Sequence, residues 1–254
     1  MLSTDMIKYI NNIPDKYIVV GVSSGPDSMA LLDMLIKTNK QIICTHINHN
    51  VRKSSNEEAS YLKEYCNNHN IIFEYHKIDK YTTSNFENEA RTKRYTFYEE
   101  ILNKYHSHYL FLAHHGDDLI ETIIMKIIRG SNLEGYAGIK TYSKLDNYTI
   151  VRPLLNLTKE DILKYNKDNN IKYYIDNTND DISYTRNRYR KNILPILKQE
   201  DNSVHLKFLK YSNTLQEYYN YIEDTIKDKL KTIYKDNRLN LILFNQEHPF
   251  IKKI

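Results

Sequence analysis

Val19-Val20-Gly21-Val22-Ser23-Ser24-Gly25-Pro26-Asp27-Ser28-Met29-Ala30-Leu31-Leu32 passes from a β-branched run through a small polar turn into an apolar helical pattern. Pro26 suits a first helical position, where its missing N–H would lack an intrahelical partner anyway, so Gly25 becomes the N-cap. The amides of Ser24, Gly25, Asp27 and Ser28, with the hydroxyls of Ser23, Ser24 and Ser28, are then expected to face an anion at the positive end of the helix dipole. The turn has neither the Gly-Lys-Ser/Thr of a Walker loop nor the three spaced glycines of a dinucleotide-binding turn, and it contains no lysine. Asp27 would repel a bare phosphate, but a Mg²⁺ ion between carboxylate and polyphosphate removes the conflict, because Mg²⁺ takes hard oxygen ligands. Taken alone, the stretch reads equally well as an ordinary strand-to-helix turn.

Working outward, β-branched runs recur at residues 17–23, 41–48, 71–78 and 109–114. Between them lie apolar residues at helical spacing: Met29, Leu31, Leu32 and Leu35; Ala59, Leu62 and Cys66; Tyr95, Tyr98, Ile101, Leu102 and Tyr105. This alternation predicts an α/β fold with a parallel sheet covered on both faces. Ligands in such sheets sit beyond the carboxyl ends of the strands, so chemistry is expected at residues 23–28, 46–52 and 114–118. A fifth strand is expected over 149–155, its proline marking a strand end. Thr158 reads as the N-cap of a helix through Asn169, with Glu160 and Asp161 in its first turn. From His205, the series Leu206, Leu209, Leu215, Tyr219, Ile222, Ile226, Leu230 and Ile233 predicts one long amphipathic helix.

The 254 residues suffice for one sizeable α/β domain or a smaller one with an appendage. Hydrophobic residues at 41% and charged residues at 27% exclude wholesale disorder. Cys44 and Cys66 form no Cys-x-x-Cys pair, which argues against a zinc or iron–sulfur site. No apolar run approaches the ~20 residues of a membrane span, and residues 1–10 lack the order of a signal peptide, so a cytoplasmic location without membrane contact is expected. A net charge of +4 permits a nucleic-acid partner without requiring one. The run Arg186-Asn187-Arg188-Tyr189-Arg190-Lys191 concentrates four cations, though an isolated run of this kind is more readily a solvated helix face.

His114-His115-Gly116-Asp117-Asp118-Leu119-Ile120-Glu121-Thr122 carries stronger chemistry. If Asp117 opens a helix, Asp118 and Glu121 share one face and two histidines precede them at a strand end. Phosphoryl or nucleotidyl transfer uses a carboxylate for metal or base work and histidine or arginine for developing charge. The oxygen-rich set without a nearby cysteine disfavours zinc. Capping carboxylates beside a buried histidine are the plainer alternative. Arg91 and Arg94, a turn apart, are placed to reach one phosphate-bearing ligand or simply to face solvent.

In this order the segments resemble the PP-loop ATP pyrophosphatase superfamily, and within it the tRNA lysidine synthases. The matching residues are Ser23-Ser24-Gly25-Pro26-Asp27-Ser28; His46-x-Asn48-His49-x-x-Arg52; Glu89-Ala90-Arg91-x-x-Arg94-Tyr95; and Ala113-His114-His115-x-Asp117-Asp118-x-x-Glu121-Thr122 with Arg129-Gly130. Arg152-Pro153-Leu154-Leu155, Asp176-x-Thr178-Asn179 and Arg186-Asn187-x-x-Arg190 with Pro195 follow.

The resemblance covers about residues 15–200. It implies an adenine nucleotide alpha-hydrolase-like PP-loop domain over 1–200, with a C-terminal helical extension over 201–254 that begins a second helical domain. The implied activity is ATP-dependent ligation of free L-lysine to C2 of the wobble cytidine in the CAU-anticodon isoleucine tRNA, which changes codon reading from AUG to AUA. By the same resemblance Ser23, Ser24, Gly25, Pro26, Asp27 and Ser28 hold ATP, and Asp118, His114, Asp117, Arg91 and Arg94 form the catalytic centre. Asp27 and Asp118 would serve Mg²⁺, while Arg186, Arg188 and Arg190 meet tRNA; Glu121 is expected to meet lysine on the ground of its carboxylate and its place on the Asp118 face alone.

Ser24 stands where the superfamily has glycine, and its Cβ is expected to crowd the phosphate. A cytidine thiolase and a catalytically silent tRNA-binding module are the rival readings; dimerisation is left open.

Overall fold

The computed structural model describes residues 1–50, 55–78, 81, 86–175, 184–235 and 238–249. Arg52 and the Asp176, Thr178 and Asn179 motif lie outside the described residues. Helix α1 (Thr4–Asn12), capped by the Ser3 hydroxyl accepting from the Met6 N–H at 3.2 Å, leads into β1 (Tyr17–Gly21) and α2 (Pro26–Ile36). Then come β2 (Gln41–Asn48), α3 (Ser55–Asn68), β3 (Ile72–Lys77), α4 (Phe86–Lys104) and β4 (Tyr109–Phe111). Helices α5 (Gly116–Arg129) and α6 (Leu133–Tyr136) precede the strands β5 (Tyr142–Lys144) and β6 (Thr149–Val151). The remainder is helical: α7 (Lys159–Asp168), α8 (Thr185–Asn192), α9 (Leu194–Glu200) and α10 (Val204–Ile233), followed by a β7 (Tyr234–Lys235) and β8 (Arg238–Leu239) hairpin and α11 (Leu241–Gln246).

The sheet order is β3-β2-β1-β4-β6-β5, parallel throughout except for β5. Strand order reverses between β1 and β4, so the crevice where a ligand fits lies past Gly21 and Phe111. The central strands are buried on both faces, as parallel sheets require, while the edge strands β3 and β5 are partly exposed. Ile18, Val20, Ile42, Cys44, Phe111 and Val151 pack into one core with Leu31, Leu35 and Ile162, while Val19, Ile43, Leu110 and Ile150 pack on the other side with Phe97, Tyr98 and Ile101. Alternate residues of one strand thus serve two cores, which explains the near-continuous apolar runs.

Every predicted strand but β2 is shorter than expected, β1 ending at Gly21 and β3 running over Ile72–Lys77. The chain leaves β4 after Phe111 rather than His114, and β6 stops at Val151 because Pro153 has no N–H to give a ladder. The antiparallel β5 was not foreseen: Tyr-Ser-Lys is short and mostly exposed, with no apolar alternation to mark it. The predicted caps, by contrast, are present. Pro26 opens α2 behind Gly25, and Thr158 accepts from the Asp161 N–H at 3.1 Å while Asp161 accepts from the Thr158 N–H at 2.9 Å. The long helix α10 lays Phe208 and Leu209 against Leu119, Ile123 and Leu155, giving its apolar stripe a partner in α5. Among the described residues, no helix is long and apolar enough to cross a membrane.

Gly21 closes β1 where a Cβ would stand 2.5 Å from the Tyr98 hydroxyl and 2.9 Å from Leu112. Gly21→Ala is expected to destabilise the fold by about 1–3 kcal/mol through overpacking, read as a lower urea midpoint at unchanged m-value.

Candidate active site

The turn after β1 is tied down by its own side chains. The Ser28 hydroxyl accepts from the Ser23 N–H at 3.1 Å and donates to the Gly25 carbonyl at 3.1 Å. Ser24 sits at φ 63°, the left-handed region that favours glycine, and is fully buried with its hydroxyl 3.4 Å from the Glu58 carbonyl. Its side chain therefore turns inward toward α3, and the crowding expected of its Cβ is replaced by a cost in backbone conformation. All three hydroxyls assigned to the anion have partners within the protein, Ser23 lying 3.2 Å from the Ser28 hydroxyl and accepting from the Gly25 N–H at 3.4 Å, so the first-turn amides of α2 are the outward donors, with exposed Ser23 at the rim.

Across the crevice, α5 starts at Gly116 with Asp117 and Asp118 in its first turn. The Asp118 carboxylate accepts from the His115 N–H at 3.1 Å, and His115 Nε2 lies 3.5 Å from Asp118 and 3.9 Å from Asp27. His115 is therefore the residue that joins the two halves of the site. Burial pushes the Asp118 carboxyl up, but His115, His114 and Arg190 together with that N–H outweigh it and hold it below its ordinary value. Asp118 is an anion here.

Arg190, from the basic run, donates through Nε to Glu121 at 2.8 Å and through Nη2 to Glu121 at 3.1 Å and Asp118 at 3.2 Å. One planar fork thus holds both carboxylates of the α5 face, as expected of a bidentate guanidinium. Burial raises the Glu121 carboxyl beyond what Arg190 can offset, and the same pairing lifts Arg190 against its own desolvation. Arg186 reaches Thr122 at 2.9 Å and lies 3.6 Å from Glu121. Arg188 instead turns to Thr185 on its own helix at 3.1 Å. Arg91 and Arg94 are exposed on α4, Arg91 over the Tyr95 ring at 4.9 Å; Arg91 is felt at Arg152, whose charge is disfavoured first by burial and then by Arg91, while Arg94 acts on Tyr81 and Tyr98 instead.

Sequence reasoning missed two lysines. Lys159, the first residue of α7, donates from Nζ to Asp27 at 2.5 Å, and its backbone N–H donates to Asp117 at 3.2 Å. Lys198 of α9 donates to Asp117 at 2.8 Å and to Glu160 at 2.7 Å. A cleft of about 430 Å³ opens among His115, Asp117, Lys159, Arg190 and Lys198. The only available signal was the pairing of unlike charges far apart in the chain, which spacing does not encode.

A PP-loop domain family model matches residues 2–197. The chain belongs to the PP-loop family. It is 39% identical over 225 residues to the tRNA(Ile)-lysidine synthase of Bacillus subtilis (strain 168), covering 85% of this chain and 48% of that protein. The Bacillus licheniformis tRNA(Ile)-lysidine synthase is 37% identical over 237 residues, covering 90% and 50%. The bifunctional protein TilS/HprT of Listeria monocytogenes is 36% identical over 242 residues, covering 91% and 37%. The chain spans about half the length or less of these relatives. In structure it is similar to the U34-tRNA thiolase NcsA from Methanococcus maripaludis, with a TM-score of 0.68 at 16% identity over 85% of this chain and 75% of that one, a likeness of fold. Membership of the PP-loop family supports the use of ATP.

Of the other motif residues, His46 and Asn48 serve the fold. His46 Nδ1 bonds the Val22 carbonyl at 2.8 Å, and Asn48 donates to Asn56 at 3.1 Å and Tyr75 at 3.0 Å. Cys44 and Cys66 are free and buried.

His114 is pushed down to about 4, first by burial and then by Arg152 and Arg186, with Asp118 opposing. Its folded value lies below that of the unfolded chain, so the unfolded state binds the extra proton and His114 costs stability as pH falls from about 6.5 toward 4. NMR titration of the His114 imidazole is expected to give a midpoint near 4. A midpoint at the free-histidine value would contradict the burial described.

Proposed function

We propose that this chain carries the ATP-binding catalytic unit of a tRNA(Ile)-lysidine synthase, with residues 1–200 as that unit and 201–254 as the start of a helical second one. The observation that carries the reading is the Asp118, Glu121 and Arg190 cluster set beside the phosphate-binding turn, in a chain close to 40% identical to curated lysidine synthases. A ligation that breaks the α–β phosphate bond has no need of a lysine aimed at the γ-phosphate, which fits a turn built without one.

In the first step the C2 carbonyl oxygen of the wobble cytidine attacks the α-phosphorus of ATP and pyrophosphate leaves. In the second, the amine of lysine attacks C2 and AMP leaves. The turn at 23–28 would seat the phosphates on the first-turn amides of α2. Asp27 and Asp118 suit Mg²⁺: two hard carboxylate oxygens approach one histidine from opposite sides of the crevice, and Mg²⁺ commonly takes one or two carboxylates plus phosphate oxygens. When bound, Mg²⁺ would neutralise charge on the polyphosphate. Asp117 helps hold the neighbouring cations in place, and neutral His114 offers an uncharged imidazole beside Asp118. The amine that attacks must first shed a proton, and Glu121, its carboxyl raised by burial, is the base on that helix face. Arg190 orients both carboxylates, while Arg186, Arg188, Arg91 and Arg94 offer positive charge to the tRNA backbone.

The thiolase reading finds no support at this mouth, since the chain's two cysteines are buried in β2 and α3. The test is incubation with ATP, Mg²⁺, radiolabelled lysine and total tRNA. Label is expected in tRNA, and Asp118→Asn is expected to lower incorporation by about two orders of magnitude or more with the fold intact. No incorporation, with ATP and tRNA binding retained, would favour the silent binding module.

A further inference from the structure

We propose that Lys159 is the phosphate-binding lysine of this site, delivered from α7 to a loop whose own sequence lacks one. The inference rests on the reading that the loop binds ATP and releases pyrophosphate. Its Nζ lies 2.5 Å from Asp27, in the first turn of α2, so a phosphate resting on the amides of that turn is within reach of the same ammonium. The base of Lys159 is fixed. It is the first residue of α7, behind the Thr158 cap, and its N–H donates to Asp117 at 3.2 Å. The far end is freer, because the side chain keeps 34% exposure and lines the cleft shared with Arg190 and Lys198. A fixed base with a charged tip open to the cleft is what a group needs if it is to pass from one anion to another.

In adenylation the new bond joins the attacking oxygen to the α-phosphorus, and the bond from that phosphorus to its bridging oxygen breaks. The electron pair departs on pyrophosphate, and the Lys159 ammonium meets the charge through hydrogen bonds without giving up a proton. Before ATP arrives, Asp27 occupies that ammonium and holds it at the mouth of the loop.

The test is calorimetric titration of the 254-residue chain with Mg²⁺-pyrophosphate, with AMP as the control ligand. Lys159→Gln keeps the stem and a donor for Asp27 but removes the charge. It is expected to weaken pyrophosphate binding by about tenfold or more while AMP binding holds, the loss appropriate to one charge-assisted hydrogen bond. Lys159→Arg is expected to restore most of it. Equal pyrophosphate affinity in wild type and Lys159→Gln, a parallel loss of AMP binding, or no pyrophosphate binding by the wild-type chain would each overturn the inference. If the pattern holds while lysine incorporation fails, the reaction assigned above falls and the role of Lys159 stands.

Discussion

Four carboxylates, Asp27, Asp117, Asp118 and Glu121, converge where β1 and β4 end, and they coexist there because cations arrive from later in the chain. Lys159 answers Asp27, Lys198 answers Asp117, and Arg190 answers Asp118 and Glu121. Glu121 is 1% exposed and Asp117 2%, so neither could stay ionised alone without a heavy desolvation penalty. The geometry of the crevice is therefore set jointly by α2 and α5, which carry the acids, and by α7, α8 and α9, which carry the bases.

The arrangement follows from the sheet. Reversal of strand order between β1 and β4 separates the helices that leave those strands and opens a gap at their N-termini, where backbone amides and positive dipole ends point outward. Acids placed there are favoured by the dipoles, and the same dipoles favour an anionic ligand. Asp27 and Asp118 both approach Nε2 of His115, so the gap is narrow enough for one imidazole nitrogen to lie within 4 Å of each carboxylate.

Much of this was legible in the sequence, and the reasons are specific. Pro26 behind Gly25, and Thr158 followed three residues later by Asp161, are local signals whose physics acts within one helical turn, and both appear as read. The pairing of Asp118 with Glu121 on one face follows from helical periodicity alone. Lys159 and Lys198 were not legible, because each meets its acid across the tertiary fold, 132 and 81 residues away in the chain. Strand β5 escaped for a different reason, since a three-residue edge with exposed tyrosine and lysine carries no alternation to detect. Ser24 was noticed as the odd residue of its loop, but the sequence suggested a steric intrusion where the structure has a left-handed backbone and an inward side chain.

At Gly116 the first residue of α5 meets α10 with no slack. A Cβ there would stand 2.9 Å from His205 Cβ and 3.0 Å from the Leu157 carbonyl. The helix that begins beside this contact runs for 30 residues, a rod of about 45 Å at the usual rise per residue. With no room for a side chain at position 116, the first turn of this rod and the turn that carries Asp117 and Asp118 are seated directly on one another.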